Sequence, residues 1–219
     1  MKAMILAAGR GKRLKPFTDS KPKALVELAG KPLIAYHLDA LSRAGITEVV
    51  INLAHLGEQI KETLGDGSAF NLTIHYSQEP TGGLETGGGI VQALPILGEQ
   101  PFIVMNADIF TDYPLQNLKL APKTLAHLVL VDNPSYHTSG DFSLTSNKLS
   151  LPQDNALTFS GIGLYHPDLF KDYQPGFFPL GPIIKSSLEN ITAEHYTGQW
   201  WNINTMEELK AAESKIAKQ

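Results

Sequence analysis

Short, largely apolar runs alternate with segments of helical spacing through the first half of this chain, and that alternation leaves few folds open to it. Ala3 to Ala7, Glu48 to Leu53 and Phe102 to Met105 read as strands with scarcely any polar face. Between the first two, Leu33, Ile34, Tyr36, His37, Leu38, Ala40 and Leu41 recur with helical period, and Gly45 stands where a helix cap belongs. Gln59 to Leu64 reads as a short helix, Leu72 to Tyr76 as a strand, and a helix is expected from about Gly88 to Leu94. A strand without a polar face needs cover on both sides. Strands alternating with helices therefore predict an α/β fold, with a mostly parallel central sheet, helices on both faces and right-handed crossovers.

The second half reads differently. Ala126 to Val131 is a further core strand, and Phe142 to Leu144 with Lys148 to Leu151 form a hairpin about Ser146 and Asn147. Thr158 to Tyr165 is a strand that contains two glycines. The polar, turn-rich stretch at about 132–157 is expected to be a substrate-covering excursion over the sheet edge. A helix from about Pro182 to Leu188, a strand near Ala193 to Tyr196 and a closing helix from Met206 to Ala217 complete the chain. No internal repeat and no linker interrupts it, so residues 1–219 read as a single domain.

Composition narrows the function. With 42% hydrophobic residues and a net charge of -4 over 219 residues, the chain has ample core material and no signature of disorder. Lysines and arginines are scattered and outnumbered by acids, which argues against nucleic acid as a partner. Cysteine is absent, removing disulfides, thiolate zinc sites and thiol nucleophiles together and fitting a cytoplasmic location. The opening apolar stretch is broken at Gly9 to Arg13, too early for a signal peptide, and no run is long enough to span a membrane.

Four segments stand out as chemistry. Directly after the first strand comes Ala8-Gly9-Arg10-Gly11-Lys12-Arg13, followed by Lys21-Pro22-Lys23. Glycines after a buried strand let backbone N–H groups approach anionic oxygens, and Arg13 and Lys23 bring positive charge, so the segment describes a phosphate clamp or, more plainly, a tight turn with solvated lysines. It has neither the Walker spacing nor the third glycine of a dinucleotide loop. Asp108 lies at the carboxyl end of the strand Phe102 to Met105, where ligands sit in open α/β sheets, and Asn106 shares its side. An aspartate there holds a metal ion against phosphate oxygens or caps a turn.

Leu84-Glu85-Thr86-Gly87-Gly88-Gly89 enters a helix, and three successive glycines weaken a helix by about 1 kcal/mol each. That cost points to the close approach of a flat ligand or to a flexible loop. In Trp200-Trp201-Asn202-Ile203-Asn204-Thr205 the adjacent tryptophans alternate faces, one inward and one outward, and Thr205 with Glu208 spells a capping box. None of the seven histidines has zinc-protease spacing, His37 reads as structural, and no serine lies in a nucleophile elbow. Phosphoryl transfer needs positioning and charge more than a protein nucleophile.

The opening Gly9-x-Gly11-x-Arg13-x-x-Pro16-x-Thr18 with Pro22-Lys23 resembles the nucleotide-sugar pyrophosphorylases, the sugar-1-phosphate nucleotidyltransferases, and the resemblance runs nearly the whole chain. It implies a Rossmann-like fold with a mixed, mostly parallel sheet, and the joining of a nucleoside triphosphate to a sugar 1-phosphate with release of pyrophosphate. Leu84 to Gly89, Asn106 to Asp112 and Gly140-Asp141-Phe142 are most similar to the short uridylyltransferases of bacterial cell-wall recycling, which use UTP and N-acetylmuramate 1-phosphate. The resemblance implies that Ala8, Gly9, Gly11, Arg13 and Gly83 hold the nucleotide, that Lys23 neutralises the α-phosphate and the sugar phosphate, and that Asn106 meets the nucleoside. It places the sugar against Glu85, Thr86, Gly88 and Asp141, and magnesium on Asp108. Arg13, Lys23 and Asp108 are the implied catalytic set.

One departure stands against the pattern. The family's Trp-x-Asp-x-Gly-Thr supplies a second metal carboxylate, whereas here Asn202 takes the aspartate's place and Asn204 the glycine's. Asn202 is expected to ligate through its amide oxygen without adding charge. Asn204 suits a positive φ, which asparagine tolerates. The same chemistry on dTTP with glucose 1-phosphate or GTP with mannose 1-phosphate is the alternative, as is a nucleotide-binding paralogue impaired at Asn202. A monomer or small homo-oligomer is expected.

Overall fold

The computed structural model describes residues 1–216. It opens with β1 (Ala3–Leu6), and a two-residue pair, β2 (Glu27–Leu28) and β3 (Lys31–Pro32), precedes α1 (Leu33–Arg43). β4 (Glu48–Leu53), α2 (Gly57–Leu64), β5 (Thr73–Gln78), α3 (Glu85–Leu97) and β6 (Phe102–Asn106) follow in alternation. After β7 (Ile109–Thr111) come β8 (Ala126–Val131), the hairpin β9 (Ser143–Thr145) and β10 (Lys148–Ser150), and β11 (Thr158–Tyr165). α4 (Leu180–Ser186), β12 (Ile191–His195), β13 (Trp200–Asn202) and α5 (Met206–Ile216) complete it. Ala217, the expected end of the last helix, lies outside the described residues.

The central sheet has nine strands in the order β5-β4-β1-β6-β11-β8-β12-β10-β9. β5, β4, β1 and β6 pair in parallel, as the βαβ alternation requires, and β8 pairs in parallel with β12. Only β11 and β10 run against the rest, so the sheet is mixed and mostly parallel. The period of two sorts β1 between two cores: Ala3 and Ile5 face α1 and α2, whereas Met4 faces α3 and α4. A third, smaller cluster of Leu14, Val26, Leu28, Leu33, Ile203 and Leu209 seats α5.

Local expectations meet their causes here. Gly45 takes φ 80 and donates to the Ser42 carbonyl, and Ile46 N–H reaches back to Leu41, so α1 ends in the paired bonds of a glycine cap. Ser146 and Asn147 both lie at positive φ, the geometry of a two-residue hairpin turn. α3 starts at Glu85, three residues before the expected Gly88, because its glycines are packed rather than loose. Trp201 does not face outward. It packs on the third cluster beside Phe110, while Trp200 packs on the first.

The excursion over 132–157 divides. Its β9–β10 hairpin extends the main sheet as an edge, and its first part carries Tyr136 back beside Asn202, Arg13 and Asp108. Gly161 sits at φ 84 where the β11–β8 register shifts, and a side chain there would meet Asn106 Nδ2 at 2.6 Å. That glycine makes room for Asn106. Asn204, by contrast, does not take a positive φ.

Candidate active site

Leu6 at the end of β1 is level with Asn52 in β4 and Asn106 in β6, so three parallel strands terminate together. Beyond them opens a cleft of about 420 Å³, a size that suits a small ligand. Ala8, Gly9, Gly11, Lys23, Gly83, Glu85, Thr86, Asn106 and Asp108 all line it. The 69% exposed ring of Phe177 stands at its rim.

The first loop is shaped by two different glycines. Gly11 is left-handed at φ 60, and a Cβ there would lie 2.9 Å from Thr18 Cγ2, while the Thr18 hydroxyl donates to its carbonyl at 2.9 Å. Among the described residues, nothing lies within 4 Å of where a Cβ on Gly9 would stand. Gly11 lets the loop fold on itself; Gly9 leaves the cleft open.

Asn52 and Glu79, which sequence reasoning missed, form the cleft floor. Asn52 Oδ1 accepts from Ala7 N–H at 2.7 Å, and its Nδ2 donates to Glu79 Oε1 at 2.6 Å. Glu79 Oε2 accepts from Leu84 N–H at 2.7 Å. Burial pushes the Glu79 carboxyl up, and these two hydrogen bonds oppose the shift. The available signal was an amide in an otherwise apolar strand, since a buried polar group must be paired.

The charged end gathers residues far apart in sequence. Lys23 Nζ donates to Asp108 Oδ2 at 2.5 Å and to Asn204 Oδ1 at 2.6 Å. Arg13 Nη2 donates to the same Asn204 oxygen at 2.8 Å. The Asp108 carbonyl accepts from Ile203 N–H at 2.7 Å, tying the end of β6 to the chain after β13. His37 lies buried beneath. Desolvation lowers its pKa to about 4 against the Asp108 charge and the Ala107 and Ile109 backbone, so it is neutral at pH 7. Burial pushes the Tyr136 phenol up, with the Glu208 carboxylate adding to the shift.

Several expected site residues do other work. Gly88 is buried against the 176–179 segment: a Cβ there would lie 1.8 Å from the Gly176 carbonyl oxygen, and Gly88 N–H donates to Phe178. The glycine triplet therefore serves protein packing, not the approach of a flat ligand. Thr86 lines the cleft, but its hydroxyl accepts from Leu180 N–H at 2.8 Å, which anchors α4. The Asp141 carboxylate accepts from Phe159 N–H at 2.9 Å and contacts His137 at 3.1 Å; it braces the excursion and is not among the cleft-lining residues. Arg13 and Asn202 also stand outside the cleft wall, where Arg10 and Lys12 lie instead.

The family profile described as nucleotidyl transferase matches residues 2–133. The chain belongs to the nucleotidyl transferase family. It is 48% identical to the N-acetylmuramate alpha-1-phosphate uridylyltransferase of Neisseria meningitidis serogroup B, over 98% of this chain and 97% of that protein. It is 31% identical to the protein of the same name from Caulobacter vibrioides, over 98% and 96%. Its fold matches a Bacillus anthracis structure assigned as a glucose-1-phosphate thymidylyltransferase and solved with sucrose, at TM-score 0.84 and 21% identity, covering 98% of this chain and 94% of that one.

Nucleotidyl transferases of this kind generally use a divalent metal. Among the described residues no three His, Asp or Glu side chains gather to hold an ion unaided. Asp108 supplies one carboxylate, and Asn202 Oδ1 is buried with no hydrogen-bond partner among the described residues, an acceptor left open across the β7–β13 pair from it. That donor set suits a hard cation whose remaining ligands are phosphate oxygens and water. No helix among the described residues is long and apolar enough to cross a membrane.

Proposed function

We propose that this protein transfers the uridylyl group of UTP to N-acetylmuramate 1-phosphate, giving UDP-N-acetylmuramate and pyrophosphate. The observation that carries the chemistry is the Lys23 ammonium, held at the carboxyl ends of the parallel strands between Asp108 and Asn204 and beside Arg13. The substrate pair is supported by the two near full-length relatives. The product serves cell-wall recycling in a bacterial cytoplasm.

In the reaction a sugar phosphate oxygen attacks the α-phosphorus of UTP in line. The bond from that phosphorus to the bridging oxygen breaks, and pyrophosphate departs carrying the electron pair. The sugar phosphate is already ionised near neutral pH, so no general base is required. The loop from Ala8 to Gly11 presents backbone N–H groups to the triphosphate, Gly83 borders the nucleotide, and Asn106 meets the nucleoside. Lys23 neutralises charge on the α-phosphate and incoming phosphate, and Arg13 draws charge from the leaving group. Glu85, in a left-handed conformation at φ 61 at the head of α3, accepts hydroxyl hydrogen bonds from the sugar. Magnesium held by Asp108 and the Asn202 amide oxygen would neutralise phosphate charge.

Pyrophosphate release tests this directly, with UTP, dTTP, GTP, CTP and ATP crossed against muramate, glucosamine, glucose and mannose 1-phosphates. Release confined to UTP with N-acetylmuramate 1-phosphate is expected. Release from another pair would keep the chemistry and overturn the substrate assignment; a protein that binds nucleotide yet stays silent across the grid would overturn turnover itself.

A further inference from the structure

Asn204 occupies an unusual electrostatic position. It is 4% exposed, and its single Oδ1 accepts from two cations, Lys23 Nζ at 2.6 Å and Arg13 Nη2 at 2.8 Å. Those partners fix the amide orientation, since turning it over would aim an NH₂ group at both cations. Its Nδ2 is then buried with no partner among the described residues. Arg13 makes no ion pair among the described residues, and Lys23 pairs with Asp108. One carboxylate thus faces two cations that would otherwise repel each other, and a neutral oxygen draws them together.

Neither backbone conformation nor cap chemistry accounts for the side chain. Asn204 is not at positive φ, and its N–H shares Glu208 Oε2 with that of Thr205 through the main chain alone. That capping box pins residue 204 at the head of α5, so the amide is held where Lys23 and Arg13 meet. A carboxylate there would bind both cations more tightly and cancel their charge before any substrate arrived. An amide gathers them without neutralising them.

We propose that Asn204 is a positioning residue that assembles Lys23 and Arg13 into one preorganised, net-positive cradle for a polyphosphate. This rests on the reading of the cleft as a nucleoside triphosphate site. Two substitutions separate geometry from charge, and both suit the backbone of residue 204. Asn204→Asp keeps the acceptor and adds a charge; Asn204→Ala removes the acceptor.

The experiment is calorimetric titration with UTP across a salt series, alongside steady-state kinetics and thermal melts of the wild type and both variants. Asn204→Asp is expected to weaken UTP binding about tenfold and flatten its salt dependence, with KM for UTP rising more than kcat falls. Asn204→Ala is expected to lower kcat by about 10- to 100-fold through lost alignment. A purely structural role would lower the melting temperature and leave UTP affinity and the KM-to-kcat balance of the folded protein alone. UTP affinity and kinetics within about twofold of wild type in both variants would overturn the proposal. Should Asn204→Ala fail to fold, Asn204→Asp carries the test. A wild type that binds no nucleoside triphosphate would instead overturn the functional reading, and this inference with it.

Discussion

At the scale of single residues, the charged end of the cleft carries the proposed chemistry. Lys23 is held by an aspartate and an amide rather than left to solvent, so its ammonium is placed before substrate arrives. Lys23→Ala is expected to lower kcat/KM by about 10³-fold, with the melting temperature little changed, because preorganised positive charge at a transferring phosphoryl group contributes most of the rate acceleration in such sites. Pyrophosphate release checks it. Asn202 offers an orphaned amide oxygen where a carboxylate would bring charge. Asn202→Asp is therefore expected to lower the magnesium needed for half-maximal rate by on the order of tenfold. An unchanged magnesium dependence would show that Asn202 is no handicap. That Lys23 and Asp108 lie at the cleft was legible in the sequence from their place beside a glycine loop and a strand end. Asn52, Glu79 and Asn204 were not, because each acts through a partner many positions away.

At the scale of elements, α3 shows why glycines mislead. Three in succession count against a helix locally, yet this helix runs through all of them. They are required because the 176–179 segment and the Asn52–Glu79 pair lie against the helix: a Cβ on Gly89 would meet Glu79 Oε1 at 2.5 Å. Gly88→Ala is expected to destabilise the protein by about 2–3 kcal/mol, since the clash is with backbone. Gly9→Ala gives the contrast. Its Cβ would enter open space, so stability should stay within about 0.5 kcal/mol while KM for UTP rises. Urea unfolding and nucleotide kinetics on the two variants separate packing from ligand approach. The hairpin turn and the capping box, by contrast, were legible, because turn and cap chemistry is decided within about four residues.

At the scale of the molecule, the buried His37 couples the site's foundation to pH. Its pKa falls from 6.5 to about 4 on folding because burial disfavours the charged form. Between those values the unfolded chain binds a proton that the native state refuses, so stability is complete above pH 6.5 and is lost as pH falls toward 4. The loss amounts to about 3 kcal/mol. Denaturant unfolding from pH 7 to 4 should show this slope, and His37→Gln should remove that part of it while costing some stability at pH 7.

The α/β class, the strand ends that face the cleft and the glycine loop that lines it are written in the order of the residues alone, because they depend on periodicity and on neighbours a few positions apart. It took the folded chain to establish that Gly88 packs against Gly176, that Asp141 braces a loop, that Arg13 stands back from the cleft wall, and that Asn204 joins Arg13 to Lys23. Each of those contacts closes over a long loop of chain, and no local pattern encodes which distant group will fill the space beside a side chain.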